Sequence, residues 1–106
     1  MNDIGKTPAP AYRLRLFVAG STVRSQRAIE NLRRICDEEM DGTIDLEVID
    51  VYRQPQLAVE HQVVAAPTLV KLLPLPIRRI IGDLSAADRV LHGLDIMPLS
   101  APENHS

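Results

Sequence analysis

Cysteine is almost missing from this sequence: Cys36 stands alone, so neither an intrachain disulfide nor a multi-cysteine zinc site can form. Tryptophan is absent and only Tyr12, Phe17 and Tyr52 are aromatic, which makes any core an aliphatic one. No apolar run approaches the ~18 residues that a membrane span needs. The opening MNDIGKTPAPA holds no apolar segment of a secretory signal. A reduced, cytoplasmic setting with no membrane partner is the expectation. Basic excess is lacking too: 12 Lys and Arg against 14 Asp and Glu leave a net charge of −2, which argues against a dedicated nucleic-acid partner. There is no glycine-rich phosphate loop. His61, His92 and His105 are too scattered to pair on a metal, and Asp45, Glu47 and Asp50 alternate without forming a paired catalytic site. No catalysis, cofactor or metal is expected.

Proline, by contrast, is plentiful, with eight residues. Pro67, Pro74 and Pro76 fall within PTLVKLLPLPIRRIIGDLS, from Pro67 to Ser85, around which both halves of the chain are organised. Each proline fixes φ and removes a backbone donor, so no single helix or central strand can cover the stretch. Each X-Pro bond also has a cis form only ~0.5–1 kcal/mol above trans, which leaves more than one backbone path open.

The 106 residues suffice for one domain with a single core. The expected layout is a flexible lead-in at 1–11, a domain at 12–97 and a flexible tail at 98–106. From Tyr12 to Val18, Tyr12, Leu14, Leu16 and Val18 share one face while Arg13, Arg15 and Phe17 share the other, the period of a strand. Gly20 is free to take positive φ, and Ser21 or Thr22 can cap the helix that follows. From Thr22 to Met40, Ala28, Ile29, Leu32, Ile35, Cys36 and Met40 recur at helical steps until Asp41-Gly42 stops them. Cys36 on that face reads as a small buried hydrophobe.

Thr43 to Val51 is a second strand, and a strand–helix–strand unit of right-handed crossover makes the two strands parallel. Pro55 suits the first position of a short helix, PQLAVEHQ, on which His61 is expected to be exposed. Thr68–Leu73 and Ile77–Ile81 read as a hairpin around Pro74-Leu75-Pro76. Ser85-Ala86-Ala87-Asp88 has the form of a capping box, opening a last helix interrupted at Gly93.

The sum is an α/β fold in the order βαβαββα, which is thioredoxin-like. There a cis-proline opens the third strand and faces the loop before the first helix. Ala66-Pro67-Thr68 and Gly20-Ser21-Thr22-Val23-Arg24-Ser25 hold those two places. The loop has no thiol and Cys36 lies well inside the helix, so a thioredoxin-like redox reaction lacks its nucleophile.

The runs LRLFVAGST and LEVIDV, the PQLA that follows, and above all APTLVKLLPLPIRRIIGDLS with the later GLD resemble the KaiB family of circadian-clock proteins, over about residues 12–96. The sensory domain of the SasA-type histidine kinase is a relative with the same plan. The resemblance implies a non-enzyme with two folds. One is a resting homo-oligomer, a tetramer or dimer, with a fold-switched βαββααβ ground state. The other is a thioredoxin-like monomer that docks on the ring of a KaiC-type hexameric ATPase, competing with a SasA-type kinase and engaging KaiA.

Carried over residue by residue, the resemblance implies switch positions at Pro67, Pro74, Pro76, Gly93 and Asp95. It implies partner contacts at Arg27, Lys71, Arg78 and Arg79, with Arg24 and Arg53 able to join them, as cations that steer docking onto an acidic ring face. Glycine costs a helix ~1 kcal/mol relative to alanine, so Gly93→Ala is expected to favour the thioredoxin-like monomer. Many relatives carry three consecutive prolines where this chain has Pro74-Leu75-Pro76. The alternative reading is a KaiB-like stress or signalling adaptor with another partner.

Overall fold

A computed structural model of the chain describes residues 10–97; the expected tail at 98–106, and residues 1–9 of the expected lead-in, lie outside the described residues. β1 (Tyr12–Val18) is the central strand, and the alternation of its side chains supplies an apolar surface to both sides of the sheet. α1 (Val23–Glu39) returns the chain so that β2 (Ile44–Asp50) pairs with β1 in parallel, from Tyr12↔Ile44 to Val18↔Asp50. α2 (Pro55–Glu60) follows, with Pro55 in its first turn. β3 (Thr68–Leu73) then runs antiparallel to β1, and β4 (Arg78–Ile81) antiparallel to β3. α3 (Ala87–Gly93) closes the chain. The order across the sheet is β2-β1-β3-β4, so the fold is the thioredoxin-like βαβαββα.

Strand periodicity sorts the core. Leu14, Leu16 and Val18 of β1 and Leu69 of β3 pack against Ala28, Leu32 and Ile35 of α1 and Val90 and Leu91 of α3. On the opposite face Phe17, Ile49 and Val70 form a smaller core under Leu57, Ala58 and Val63. Full burial of a side chain such as Phe17 is worth ~1.5–3 kcal/mol, so three residues suffice to hold the short α2, which buries none of its own completely.

Local chemistry sets the helix ends. Gly20 turns at φ +59°, and Thr22 Oγ1 accepts a hydrogen bond from Ser25 N at 3.3 Å to cap α1. The capping box expected at Ser85 does not form. The N-cap of α3 is Ala86, which has no side-chain acceptor, and Ser85 N, the donor a box at Ser85 would offer to Asp88, is held by Asp83 Oδ1 at 3.1 Å. Asn31 Nδ2 donates to Asp83 O at 2.8 Å and pins the same loop to α1. α3 ends in a Schellman motif: Ile96 N donates to Leu91 O and Asp95 N to His92 O, with Asp95 at φ +62°. Ile96 and Leu91, both buried, supply the accompanying apolar contact.

Candidate functional site

Parallel pairing of β1 and β2 brings the loops that leave them to one end of the sheet, and the start of β3 comes to the same end because Thr68 pairs with Phe17. Asp50 Oδ1 organises this end, accepting from Tyr52 N at 2.9 Å and Gly20 N at 3.3 Å. The Tyr52 ring lies over Gly20, where an added Cβ would sit 3.7 Å from Cδ2. Ala19, Val51, Tyr52, Ala58 and Val63–Ala66 line one open cleft of about 360 Å³. Ala19, just ahead of the loop at residues 20–25, therefore shares this cleft with the segment that leads into Pro67. Tyr52 and Val64 are left exposed, an apolar surface that periodicity did not reveal because loop residues have no period, and Val23, the first residue of α1, is exposed as well.

The chemistry of this end is hydroxyl, not thiol. Ser25 is buried and its Oγ accepts from Ala19 N at 3.0 Å. Cys36 lies instead on the core side of α1, where burial, and secondarily the Asp37 carboxylate, push its thiol up to about 11. A thiol that holds its proton so firmly is a poor nucleophile. Among the described residues no three His, Cys, Asp or Glu side chains gather as metal ligands would, and no helix is long and apolar enough to cross a membrane.

The basic residues fall into two groups. Arg24 and Arg27, on the first turns of α1, and Arg53, just after β2, are exposed at the cleft end. Arg78 and Arg79 are exposed on β4, at the edge of the sheet away from β2. Arg79 also reaches back to donate to His61 O at 2.9 Å and Gln62 O at 3.1 Å, tying β4 to the end of α2. His61 itself is half-buried rather than exposed, its ring centroid 5.5 Å from that of Phe17.

Lys71 departs from the expectation of a surface contact. It is 0% exposed, and its Nζ donates to Pro74 O at 2.6 Å and Pro76 O at 3.0 Å. In this fold it holds the hairpin turn and presents no charge to a partner. Burial lowers its pKa, an effect that Asp95 opposes and Arg78 reinforces. A lone cation inside the apolar run TLVKLL was the available signal, since β3 has a strand on each side.

The expected switch positions cluster around the second half of the sheet. Ala66-Pro67, Leu73-Pro74 and Leu75-Pro76 are cis; Pro67 is buried, whereas Pro74 and Pro76 are exposed. Gly93 is the last residue of α3 and Asp95 follows its C-cap. An ion network that sequence reading did not assemble lies on the α2 face: Arg13 Nε and Arg15 Nη2 meet Asp45 Oδ2 at 3.1 and 3.4 Å, and Arg15 Nε meets Glu47 Oε1 at 3.0 Å. Its signal was the matched i, i+2 spacing of opposite charges on two parallel strands.

Fold and site together define a class: a thioredoxin-fold chain with hydroxyls at its first-helix loop and an apolar, arginine-flanked end. Residues 15–96 match the model of the KaiB domain, and the chain belongs to the KaiB family. It is 54% identical over 91 residues to the circadian clock oscillator protein KaiB of Synechococcus sp. (strain RCC307), covering 86% of this chain and 83% of that one. Identity to the circadian clock oscillator protein KaiB of Synechococcus elongatus is 52% over 91 residues, covering 86% and 89%. Among solved structures, the N-terminal domain of Synechococcus elongatus SasA is similar with a TM-score of 0.66 at 28% identity, over 85% of this chain and 89% of that one. Plasmodium falciparum thioredoxin is similar in fold, with a TM-score of 0.63 at 16% identity over 86% and 76%.

Proposed function

We propose that this chain is a cytoplasmic clock regulator that acts by docking, without catalysis, on the ATPase ring of a KaiC-type hexameric ATPase. The docking unit is residues 12–97 in the thioredoxin-like monomer. The observation that carries the proposal is the similarity of the whole fold to the SasA N-terminal domain, with a TM-score of 0.66 over 85% of this chain. A shared plan of that kind suits two proteins that compete for one ring face, the competitor being a SasA-type kinase; KaiA is a further partner of the docked form in this reading. Arg24, Arg27 and Arg53 at the cleft end and Arg78 and Arg79 on β4 supply the cations that steer this encounter. Lys71 contributes indirectly, by holding the turn ahead of Arg78.

The resting partner of this monomer is a homo-oligomer, tetramer or dimer, in the βαββααβ packing. Pro67, Pro74, Pro76, Gly93 and Asp95 lie in the segment that is rebuilt between the two. An ATPase that binds only the monomer draws the population toward it by mass action. The test is size-exclusion of the chain with a KaiC-type ATPase, with and without ATP. Co-elution is expected in one nucleotide state. The combined substitutions Arg24→Glu, Arg27→Glu and Arg53→Glu are expected to weaken it by about tenfold or more. No complex in either nucleotide state would refute the proposal.

A further inference from the structure

We infer that the open edge of β4 is a docking site for an extended acidic segment of a partner protein, which joins the sheet there as a fifth strand. Among the described residues β4 has β3 as its one neighbour in the sheet. Gly82 N donates to Pro67 O at 2.9 Å, so that pair belongs to the hydrogen-bonded kind. Along an antiparallel ladder this kind alternates with the non-bonded kind. The register Thr68↔Ile81, Leu69↔Ile80, Val70↔Arg79, Lys71↔Arg78 therefore turns the N–H and C=O of Arg78 and Ile80 toward β3, and those of Arg79 and Ile81 away from it. Two donors and two acceptors, two residues apart, form the template that an added strand needs.

Side chains along this edge select the occupant. Ile81 and Ile77 are 57% and 50% exposed, and Arg78 and Arg79 are exposed between them. Arg78 has no ion-pair partner among the described residues. A second copy pairing β4 with β4 would gather the two arginines of each copy along one short edge, and in the Arg79↔Arg79 register would set like charges directly opposite, which is destabilising. The β2 edge of a second copy carries Asp45 and Glu47, but Arg13 and Arg15 of their own chain already hold them. A foreign strand with a carboxylate and an apolar residue two positions apart meets Ile81 and Arg79 together, the latter having only Nη1 engaged, by His61 O and Gln62 O. This concerns the sheet edge alone and stands apart from the identity of any ATPase.

The test is amide exchange on the full isotope-labelled chain, titrated with a blocked peptide repeating Glu-Glu-Val-Val, which sets a carboxylate two positions from an apolar side chain on each face, and, as control, one repeating Lys-Lys-Val-Val. The Glu peptide is expected to slow exchange at Arg79 and Ile81 by about tenfold or more, leaving Arg78 and Ile80, already bonded to β3, unchanged. Arg78→Glu, which breaks no contact in the chain, is expected to lower affinity about tenfold. Ile81→Pro, which removes an outward N–H at an edge that tolerates proline, is expected to abolish the protection. Should Ile81→Pro fail to fold, Arg78→Glu decides alone. Equal binding of the Lys peptide, protection at β2 instead, protection without peptide through self-association, or no response at millimolar peptide overturns the inference.

Discussion

The ammonium nitrogen of Lys71 lies 2.6 Å from the carbonyl oxygen of Pro74, so a fully buried lysine on β3 grips the turn that leads into β4. Burial, the largest influence, lowers its pKa from the ordinary 10.5. The native chain then binds this proton less tightly than the unfolded chain does. Between the lowered value and 10.5 the unfolded state holds more protons, so Lys71 makes stability rise with pH across that window. Lys71→Met is expected to remove this contribution, seen as a smaller gain in urea midpoint between neutral and alkaline pH than wild type. An unchanged pH response in Lys71→Met would count against the burial.

Arg15 and Arg13 differ in worth although both meet Asp45. Arg15, with a side chain 17% exposed, donates to Leu14 O at 2.8 Å and Asp45 O at 3.2 Å besides its two carboxylates. Arg13, at 40%, makes one exposed pair. Arg15→Ala is expected to cost ~1.5–3 kcal/mol, the range of hydrogen bonds to charged groups. Arg13→Ala is expected to cost ~0.2–1 kcal/mol. Hydrogen bonding from Arg15 is the main reason that the Asp45 carboxyl falls below its ordinary 3.8. A depressed carboxylate stabilises above its unfolded pKa and loses that effect as pH falls through the folded one. Urea melts from pH 6 downward are therefore expected to lose more of their acid dependence in Arg15→Ala than in Arg13→Ala; the reverse order would contradict the network.

Cys36 is expected to resist alkylation. Raising a thiol from 9.0 to about 11 cuts its thiolate about a hundredfold at neutral pH, and the greater nucleophilicity of the more basic sulfur restores roughly tenfold. Native chain is thus expected to react with iodoacetamide about tenfold slower than unfolded chain. The protonated thiol is favoured by the fold, so its contribution is fully present below pH 9.0 and is lost as pH rises through about 11. That sign opposes the Lys71 effect, and Cys36→Ala separates the two. Equal alkylation rates in native and unfolded chain would disprove the buried setting.

Much of the fold is legible in residue order because local chemistry and final packing agree. Alternation from Tyr12 to Val18 assigns both faces of β1, and the structure puts Leu14 and Leu16 under α1 with Phe17 under α2. Where a third element intervenes, local reading stops. Lysine is counted as surface by composition, yet β1 and β4 flank Lys71 and the turn carbonyls receive its ammonium. Ser85 has capping chemistry, yet Asp83 takes its N–H first. The basic residues are recognisable as a set, but strand order divides them between the cleft end and the β4 edge.

Gly93 meets Ile80 where α3 crosses β4, and this contact limits what alanine can gain. A Cβ on Gly93 would lie 2.7 Å from Ile80 Cδ1 and 3.2 Å from its Cγ1. The first of these atoms is the free end of a partly exposed side chain, so it moves rather than blocks, at ~0.5–1.5 kcal/mol if it leaves its rotamer. Helix propensity offers ~1 kcal/mol in return, and less at a terminal position. The expectation that Gly93→Ala favours the thioredoxin-like fold keeps its direction only where Ile80 yields cheaply. Alone, Gly93→Ala is expected to shift stability by less than ~0.5 kcal/mol, whereas in an Ile80→Val background, which lacks Cδ1, it is expected to gain ~0.5–1 kcal/mol. A double-mutant cycle by urea unfolding, with oligomer state followed by size-exclusion, measures that coupling. Additive effects at the two positions would show that α3 and β4 do not touch as described.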